Sequence, residues 1–380
     1  MNRKKEAQAG KEGTGEQPSA ADGNREAVLV GLFFAGHAGE EKSGMQDKSS
    51  FEGGTFMKRW GKVLALVAVA MMVVSVAAFA APKVWVVGFP QLGSESEWRT
   101  ADTHSVQDSF ATDDSFIFLY SDAQQKQENQ IKALRTLIAR KVDCIVFTAL
   151  VETGYGPVLA EAQKAHIPVI MIDRDVAKED QKYRLTIMGS DFVKEGEKVG
   201  LWLEKYLKDK GIDDGSTPID FAEIQGTTGS APAIERAKGF RNIQAKHANW
   251  MINHSQDGEF TSAKGKEVME AFLKADPKIQ VLFAHNDQEA LGAIQAIKEA
   301  GLQPGKDIVI ISIDGVKGAF QAIVNGEMNC TVECNPLLGP QAVQAVRDLR
   351  DGKKLTARIW TIESVFDATN AAAALPTRQY

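Results

Sequence analysis

Short apolar runs alternate with amphipathic stretches along most of the chain, from Lys83 to its end. Short runs rich in Val, Ile and Phe are typical of buried strands. The predicted strands are Lys83–Phe89, Phe116–Tyr120, Asp143–Thr148, Pro168–Ile172, Leu185–Met188, Ile219–Ile224, Trp250–His254, Gln280–Ala284, Asp307–Ile313 and Asn329–Glu333. Strands that alternate with helices indicate an α/β fold with parallel sheets.

Two of the intervening stretches have a clear helical period. The apolar stripe is Ile131, Leu134 and Ile138 in QQKQENQIKALRTLIARK, and Leu291, Ile294 and Ile297 in DQEALGAIQAIKEAGL. Gly301 follows the second stretch, at a place where glycine commonly ends a helix. The strands could close as an eight-stranded barrel with extra strands, but a break near Gly189–Asp191 favours two halves. We therefore predict two similar doubly wound parallel-sheet lobes with a cleft between them.

The segment before this pattern has the layout of a secretory signal peptide. Residues 57–62 are basic, residues 63–79 are apolar apart from Ser75, and Ala80 ends a small-residue cleavage site. The alternative is a transmembrane anchor, which needs about 17–25 apolar residues. We predict a signal peptide over residues 57–80 and a secreted, periplasmic mature chain.

Residues 1–56 precede that signal, although a signal peptide works at the amino terminus of a chain. They are rich in Gly, Glu, Lys and Ser and have no sustained periodicity, so they are not expected to bury a core. We interpret them as a non-native extension from a start codon assigned too early, with Met57 as the true start. The alternative is a disordered extension.

Charge and cysteine content exclude several classes of protein. The net charge of the 380 residues is −6, which argues against nucleic acid as a partner. Cys144 lies in an apolar run and is expected in the core. Cys330 and Cys334 are too far apart in an extended segment to form a disulfide, and no Cys/His spacing suggests zinc.

Polar side chains stand at the ends of four predicted strands. They are Trp98 and Arg99, Asp173 and Arg174, Asn286 and Asp287, and Asp314. In an open parallel sheet, ligands bind outside the carboxyl ends of the strands, so these side chains are expected to share one cleft. Carboxylate, guanidinium, amide and indole groups together suit a neutral ligand with many hydroxyl groups.

Several longer stretches carry a family resemblance. They include VGFPQLGSESEWR, VETGYGPVLAEAQKAHIPVIMIDRD, EIQGTTGSAPAIERAKGF, AHNDQEALGAIQAIKEAGLQPGKDI and SIDGV, spread over Lys83 to Pro340. Together they resemble the periplasmic sugar-binding proteins of ABC importers, in the ribose-binding branch. The resemblance implies a type I periplasmic binding protein fold, in which two α/β lobes joined by a hinge close on one monosaccharide. The expected sugar is a galactofuranose-like sugar or a pentose.

The resemblance also implies partners and lobe limits. The expected partners are the monosaccharide and the membrane permease of an ABC transporter, for a monomer that needs no cofactor, binds no nucleic acid and is not an enzyme. The expected lobes are residues 82–189 plus 336–362 and residues 190–335 plus 363–380. The hinge is expected where the chain crosses between lobes, near residues 189–191, 333–336 and 361–365.

Carried over residue by residue, the family's ligand contacts form one set. The set is Glu95, Ser96, Trp98, Arg99, Asp173, Arg174, Arg236, Asn286 and Asp314. There are two departures from the family pattern: Glu97 adds a carboxylate beside the site, and the segment Glu333-Cys334-Asn335-Pro336 blurs the hinge-side contact that a polar residue often makes.

Each of these residues also has an ordinary structural interpretation. Asp173 and Arg174 could form a surface salt bridge, Asn286 could cap a helix, and Asp314 could be a turn residue. Trp98 could be a core aromatic residue, although its polar surroundings favour a loop position and stacking. His285 is interpreted as a structural histidine.

Other function classes are weaker. A sugar-responsive repressor needs a DNA-binding helix-turn-helix, for which residues 1–56 lack the periodicity. A sugar-processing enzyme could use Asp173 and Asp314 as a carboxylate pair, but no nucleophile, metal or phosphate-loop motif accompanies them. A sensor for chemotaxis or signalling remains an alternative to an importer component.

Overall fold

The computed structural model describes residues 83–380. The predicted extension over residues 1–56 and the predicted signal peptide over residues 57–80 lie outside the described residues. The strands form two six-stranded sheets. The first sheet contains β1 (Trp85–Gln91), β2 (Phe116–Asp122), β3 (Cys144–Phe147), β4 (Val169–Ile172), β5 (Thr186–Gly189) and β11 (Arg358–Trp360). The second contains β6 (Ile219–Gln225), β7 (Trp250–Asp257), β8 (Val281–Ala284), β9 (Val309–Asp314), β10 (Cys330–Glu333) and β12 (Val365–Asp367).

The two sheets repeat one topology. The strand order is β11-β5-β4-β3-β1-β2 in the first and β12-β10-β9-β8-β6-β7 in the second. Apart from β11 and β12, each sheet is a doubly wound parallel sheet of the 2-1-3-4-5 type. Ligand-binding crevices of such sheets lie outside the carboxyl ends of the strands. The predicted fold class, with two similar parallel-sheet lobes, is therefore confirmed.

Helices cover both faces of each sheet. They are α1 (Glu97–Ala111), α2 (Gln127–Ala139), α3 (Gly156–Lys164), α4 (Phe192–Asp209), α5 (Ala231–Gln244), α6 (Ser262–Ala275), α7 (Asp287–Glu299), α8 (Lys317–Val324), α9 (Gly339–Arg350) and α10 (Ala371–Ala374). Two single 3-10 turns lie at Gln181–Tyr183 and Leu375–Thr377.

Side-chain caps determine where several helices begin. Ser96, Asp191, Ser230, Thr261 and Asn286 each precede a helix and accept a backbone N–H from its first turn. Such a cap satisfies one of the N–H groups that a helix start leaves without a partner. Since these caps directly follow strands or their loops, they fix the helix starts close to the strand ends.

The predicted helical stripes are largely as expected. In α2 the buried apolar residues are Leu134 and Leu137, while Ile131 and Ile138 are half-buried. In α7, Ile294 and Ile297 are buried. Gly301 follows α7 with a φ of +79°, which is the left-handed conformation expected just beyond a helix end.

Two short strands near the carboxyl end escaped prediction. β11 joins the first sheet beside β5, and β12 pairs antiparallel with β10 in the second. Each has only three residues, so neither shows a readable period. They place one chain crossing between the sheets at residues 361–364, in addition to crossings after β5 and after β10. The lobe limits stay a prediction.

The hydrophobic core follows the two sheets. One buried cluster fills the second lobe and also takes in Trp98 from α1, while two clusters cover the two faces of the first sheet. Cys144, Cys330 and Cys334 are all buried and free. Within residues 83–380, no helix combines the length and the apolar character needed to span a membrane.

Candidate ligand-binding site

A cavity lies between the two lobes at the carboxyl ends of both sheets. It is lined by Glu95, Ser96, Trp98, Arg99, Asp173, Arg174, Pro232, Arg236, Phe260, Asn286, Asp314 and Cys334. All nine predicted site residues belong to this set. The space between the lining atoms is about 270 Å³ when the part that opens to solvent is counted, so the cavity is a small one.

The first lobe contributes two arginines held by shared carboxylates. The Arg99 guanidinium donates to Glu95 at 3.2 Å and to Asp173 at 2.6 Å, while Arg174 donates to the same Glu95 oxygen at 3.1 Å. All four side chains are at most 5% exposed. Asp173 and Arg174 therefore form part of a buried network, and the surface salt bridge considered from the sequence is not what the chain adopts.

Asp102 is a further acceptor for Arg99 but does not line the cavity. Its carboxylate accepts from Arg99 at 3.1 Å and from the Gln91 amide at 3.0 Å. Burial raises the pKa of Asp102 to about 7, with Arg99 opposing that rise. This role of Asp102 was not predicted, because Asp102 lies inside α1, one turn beyond the strand-tip residues.

The second lobe is organised around Arg236. Its guanidinium donates to Glu195 at 2.8 Å, to the His285 carbonyl at 2.6 Å and to Asp314 at 3.3 Å. Arg236 is only 3% exposed, because α5 packs this face against α4. Burial raises the pKa of Asp314 well above its ordinary range, and Arg236 lowers it again in part.

Asp314 stands on a strained turn. Its φ is +132° and that of the following Gly315 is +78°, a region that L side chains seldom adopt. Asp287 holds the turn, since its carboxylate accepts the backbone N–H groups of Gly315 and Val316 at 2.7 and 2.8 Å. Non-glycine residues are kept in such conformations only where the surroundings impose them.

Asn286 serves as a helix cap at the edge of the cavity. Its side chain accepts the Glu289 N–H at 2.9 Å, and the Glu289 carboxylate accepts the Asn286 N–H at 3.2 Å, which completes a capping box. The Asn286 amide also donates to the Phe260 carbonyl at 3.1 Å. The cap interpretation is therefore correct, and the same residue lines the cavity.

Trp98 does not occupy a loop. It lies in the first turn of α1, because Ser96 caps that helix two residues earlier. Its indole N–H donates to the Cys334 carbonyl at 2.5 Å, and the Arg99 guanidinium lies 4.7 Å from its ring centre. Glu97 in the same turn is exposed and does not line the cavity, so its carboxylate lies outside the cavity, in a neighbouring cleft with Glu95 and Ser96.

Three lining residues were not predicted. Pro232 and Phe260 add apolar surface to the cavity, and Cys334, directly after β10, also lines it. Phe260 follows β7, and Arg174 lies over its ring at 4.9 Å. Phe260 also follows a predicted strand, but the strand-end argument selected polar residues and therefore passed over it. His285 contacts Glu223 at 3.2 Å and is fully buried, as expected of a structural histidine.

Two polar atoms at the cavity make no hydrogen bond within the described residues. They are Glu95 Oε2, an acceptor, and Arg174 Nε, a donor. Buried polar atoms are nearly always hydrogen-bonded. A ligand hydroxyl, which donates and accepts at once, is chemically matched to such a pair of atoms.

The lobes touch each other around the cavity. The Glu152 N–H of the first lobe donates to the Gly229 carbonyl of the second at 2.9 Å. The Trp98–Cys334 hydrogen bond and the Arg174–Phe260 contact cross the cleft as well. The arrangement is that of a closed cleft.

The charged side chains of the cavity are paired with one another. Arg99, Arg174 and Arg236 each contact at least one carboxylate, so none of the three arginines lacks an anionic partner. Charged groups make stronger hydrogen bonds than neutral ones, and Trp98, Pro232 and Phe260 add apolar surface. This set of groups suits a compact neutral molecule with several hydroxyl groups.

The fold and this site define a class of protein. The chain belongs to the periplasmic binding proteins, since residues 87–354 match the family model described as a periplasmic binding protein domain. The resemblance drawn from the sequence is therefore confirmed.

Among characterised proteins, the chain is similar to the galactofuranose-binding protein of Escherichia coli. The two are 44% identical over 304 residues, which cover 78% of this chain and 92% of that protein. A structure from Mycobacterium smegmatis in complex with β-D-fucofuranose is 42% identical, with a TM-score of 0.74 and coverage of 78% and 95%. The binding component of the arabinose ABC transporter from Shewanella sp. ANA-3, bound to α- and β-L-arabinofuranose, is 47% identical, with a TM-score of 0.72 and coverage of 77% and 95%.

Proposed function

We propose that this chain captures one furanose sugar in the interlobe cavity and delivers it to the permease of an ABC importer. One observation carries the proposal: the cavity between the lobes is lined by arginine and carboxylate side chains from both lobes, which offer paired hydrogen-bond donors and acceptors. The three similar proteins named above bind or are named for furanose sugars, which supports the five-membered ring form. The nine predicted site residues are the proposed sugar contacts.

The proposal extends to location and mode of action. The chain acts in the periplasm as a monomer and is exported by the leader at residues 57–80, which the intact mass of the exported protein tests. It does not turn over the sugar and has no nucleic-acid partner. Arg99 and Asp173 are the proposed partners of the sugar hydroxyls, and the similar proteins are binding proteins, which supports binding over catalysis.

A thermal-shift screen tests the ligand class. Galactose, fucose and arabinose, which supply furanose forms in solution, are expected to raise the melting temperature. At about 100 times its dissociation constant a ligand adds roughly 2.7 kcal/mol to the free energy of unfolding. Amino acids, peptides and divalent metals serve as the negative set. Stabilisation by that set and by none of the sugars contradicts the proposal.

Closure of the lobes is expected to signal the bound state. Each lobe supplies only part of the contacts, so the sugar gains its full binding energy in the closed form and shifts the equilibrium toward it. Small-angle X-ray scattering is expected to give a smaller radius of gyration with saturating sugar than without it. Equal radii in the two samples, with binding verified by calorimetry, would mean that closure is not the signal.

A further inference from the structure

A buried acidic cluster lies where the chain crosses between the sheets. The first crossing supplies Ser190, the second Cys334 and the third Glu363, while Glu195 reaches in from the first turn of α4. One carboxylate oxygen of Glu195, one carboxylate oxygen of Glu363 and the Cys334 sulfur lie within 4.8 Å of one another. We call Ser190, Glu195, Cys334 and Glu363 the hinge cluster.

The two carboxylates have few compensating contacts where they face each other. Glu363 accepts from the Thr361 hydroxyl at 2.9 Å and from the Ser190 hydroxyl, and both donors are neutral. Glu195 Oε1 is buried and makes no well-formed hydrogen bond among residues 83–380. The neutral Cys334 thiol and Ser190 hydroxyl offset only part of the rise that burial causes in the pKa of Glu195. Two ionised carboxylates this close repel each other strongly at low dielectric, so a proton between them removes the repulsion.

The neighbouring cationic side chains do not form hydrogen bonds to the carboxylate oxygens where Glu195 and Glu363 face each other. Arg236 occupies the other oxygen of Glu195 at 2.8 Å. The Lys198 ammonium donates to the backbone carbonyl of Glu363 at 3.0 Å rather than to its carboxylate, and Arg358 donates to the Ser190 carbonyl at 2.6 Å. The Cys334 thiol is neutral, because burial raises its pKa well above the ordinary range. Burial and the neighbouring Glu195 raise the pKa of Glu363 to about 8.

Opening of the lobes changes this environment. Hinge motions are absorbed by a few residues at the crossings, and three of the four cluster residues lie there. Trp98 of the first lobe covers the second crossing through its hydrogen bond to the Cys334 carbonyl, so its departure admits water. Hydration returns a carboxyl group toward its ordinary pKa.

The cluster is also connected to the proposed sugar site. Arg236 bonds Glu195 of the hinge cluster and Asp314 of the cavity with the same guanidinium. A change in the protonation of Glu195 therefore alters the electrostatic environment of Asp314, which lines the cavity, through the guanidinium that both carboxylates share.

We propose that Glu195 and Glu363 form a proton-binding site of the hinge, which takes up one proton as the lobes close on the sugar. This inference rests on the proposed function. Linkage gives the sign of the pH dependence. The pKa of Glu363 is about 8 in the closed form and, under this proposal, lower in the open form. Protonation therefore favours closure fully below the open-form pKa, and this contribution is lost as pH rises through about 8.

Isothermal titration calorimetry in two buffers of different ionisation enthalpy measures proton uptake directly. Near pH 6.5, with arabinose as the probe and a metal chelator present, sugar binding by E363Q is expected to take up about one proton fewer than binding by the wild-type protein. The amide keeps an acceptor for Ser190 and Thr361, so E363Q is expected to bind sugar. E270Q on the exposed face of α6 is the matched control and is expected to behave like the wild-type protein.

The affinity gives an independent second readout. The wild-type association constant is expected to fall by up to about tenfold per pH unit between roughly pH 5 and pH 8 and to level off above that, as one linked proton requires. E363Q is expected to lose this part of the pH dependence and to bind more tightly than the wild-type protein at pH 9. A purely structural role for Glu363 predicts weaker binding at every pH.

The outcomes separate the two proposals. Sugar binding with the same proton uptake in both proteins overturns the hinge proton site and leaves the proposed function intact. Failure of the wild-type protein to bind any sugar overturns the proposed function itself. If E363Q is unstable, a pH-independent wild-type affinity between pH 5 and pH 9 also overturns the hinge proton site.

Discussion

Replacing Asp173 with asparagine is expected to weaken sugar binding about 10- to 150-fold. The carboxylate accepts from Arg99 at 2.6 Å and lies 3.7 Å from Arg174 Nε. Asp173 lines the cavity and is one of the proposed contacts of the sugar hydroxyls. Loss of a charge-assisted hydrogen bond costs roughly 1.5–3 kcal/mol, which corresponds to that range of affinity.

Asparagine is the informative substitution at this position. Asp173 has a φ of +56°, which asparagine tolerates better than alanine does, so backbone strain stays small. The control is Asp175→Asn, two residues further on, where the carboxylate pairs with Arg184 at 2.8 Å and does not line the cavity. Calorimetry that finds equal affinity in the Asp173 variant and the wild-type protein would remove Asp173 from the proposed contacts.

Replacing Arg236 with methionine is expected to lower the free energy of unfolding by about 3–5 kcal/mol, the range for breaking a buried ion pair. Methionine fills much of the volume but leaves Glu195 and Asp314 buried without their guanidinium partner. The His285 carbonyl loses its donor as well. Sugar binding is expected to be lost together with stability.

Urea unfolding measures this loss, and pH provides a specific signature. Burial already raises the pKa of Glu195 and of Asp314, and removal of Arg236 raises both further. Groups with raised folded-state pKa values stabilise the fold at low pH and lose that contribution as pH rises. The deficit of the variant is therefore expected to be smaller at pH 5 than at pH 8.

An exposed ion pair provides the matched control for Arg236. Arg135 bonds Glu161 at 3.0 Å, with side chains 53% and 44% exposed. Since exposed pairs contribute about 0–1 kcal/mol, Arg135→Met is expected to change stability little. Equal losses in the two variants, or a deficit of Arg236→Met that grows toward low pH, would contradict the role assigned to Arg236.

The sequence alone was sufficient for the regular part of the fold. Ten strands were predicted within a few residues of their observed limits, because buried parallel strands leave short apolar runs that are easily separated from amphipathic helices. The strand-tip argument also found Asp173, Asn286 and Asp314 as neighbours. It succeeded because the carboxyl ends of parallel strands meet at one edge of a sheet.

The tertiary structure decided which other side chains share that edge. Asp102 and Glu195 lie inside helices, where a single charged residue resembles a solvated one, and only the packing of α1 and α4 buries them. Phe260 is apolar, so the sequence did not separate it from the core. Trp98 was expected in a loop, but the Ser96 cap starts α1 early enough to include it.

The hinge depended most on the tertiary structure. β11 and β12 have three residues each, too few to show a period, and they bring the third crossing beside the other two. Only this arrangement places Glu363 against Glu195, residues separated by most of the second lobe in sequence. Local patterns determine strands and helices, whereas the proximity of distant charged groups arises when two sheets pack and share three crossings.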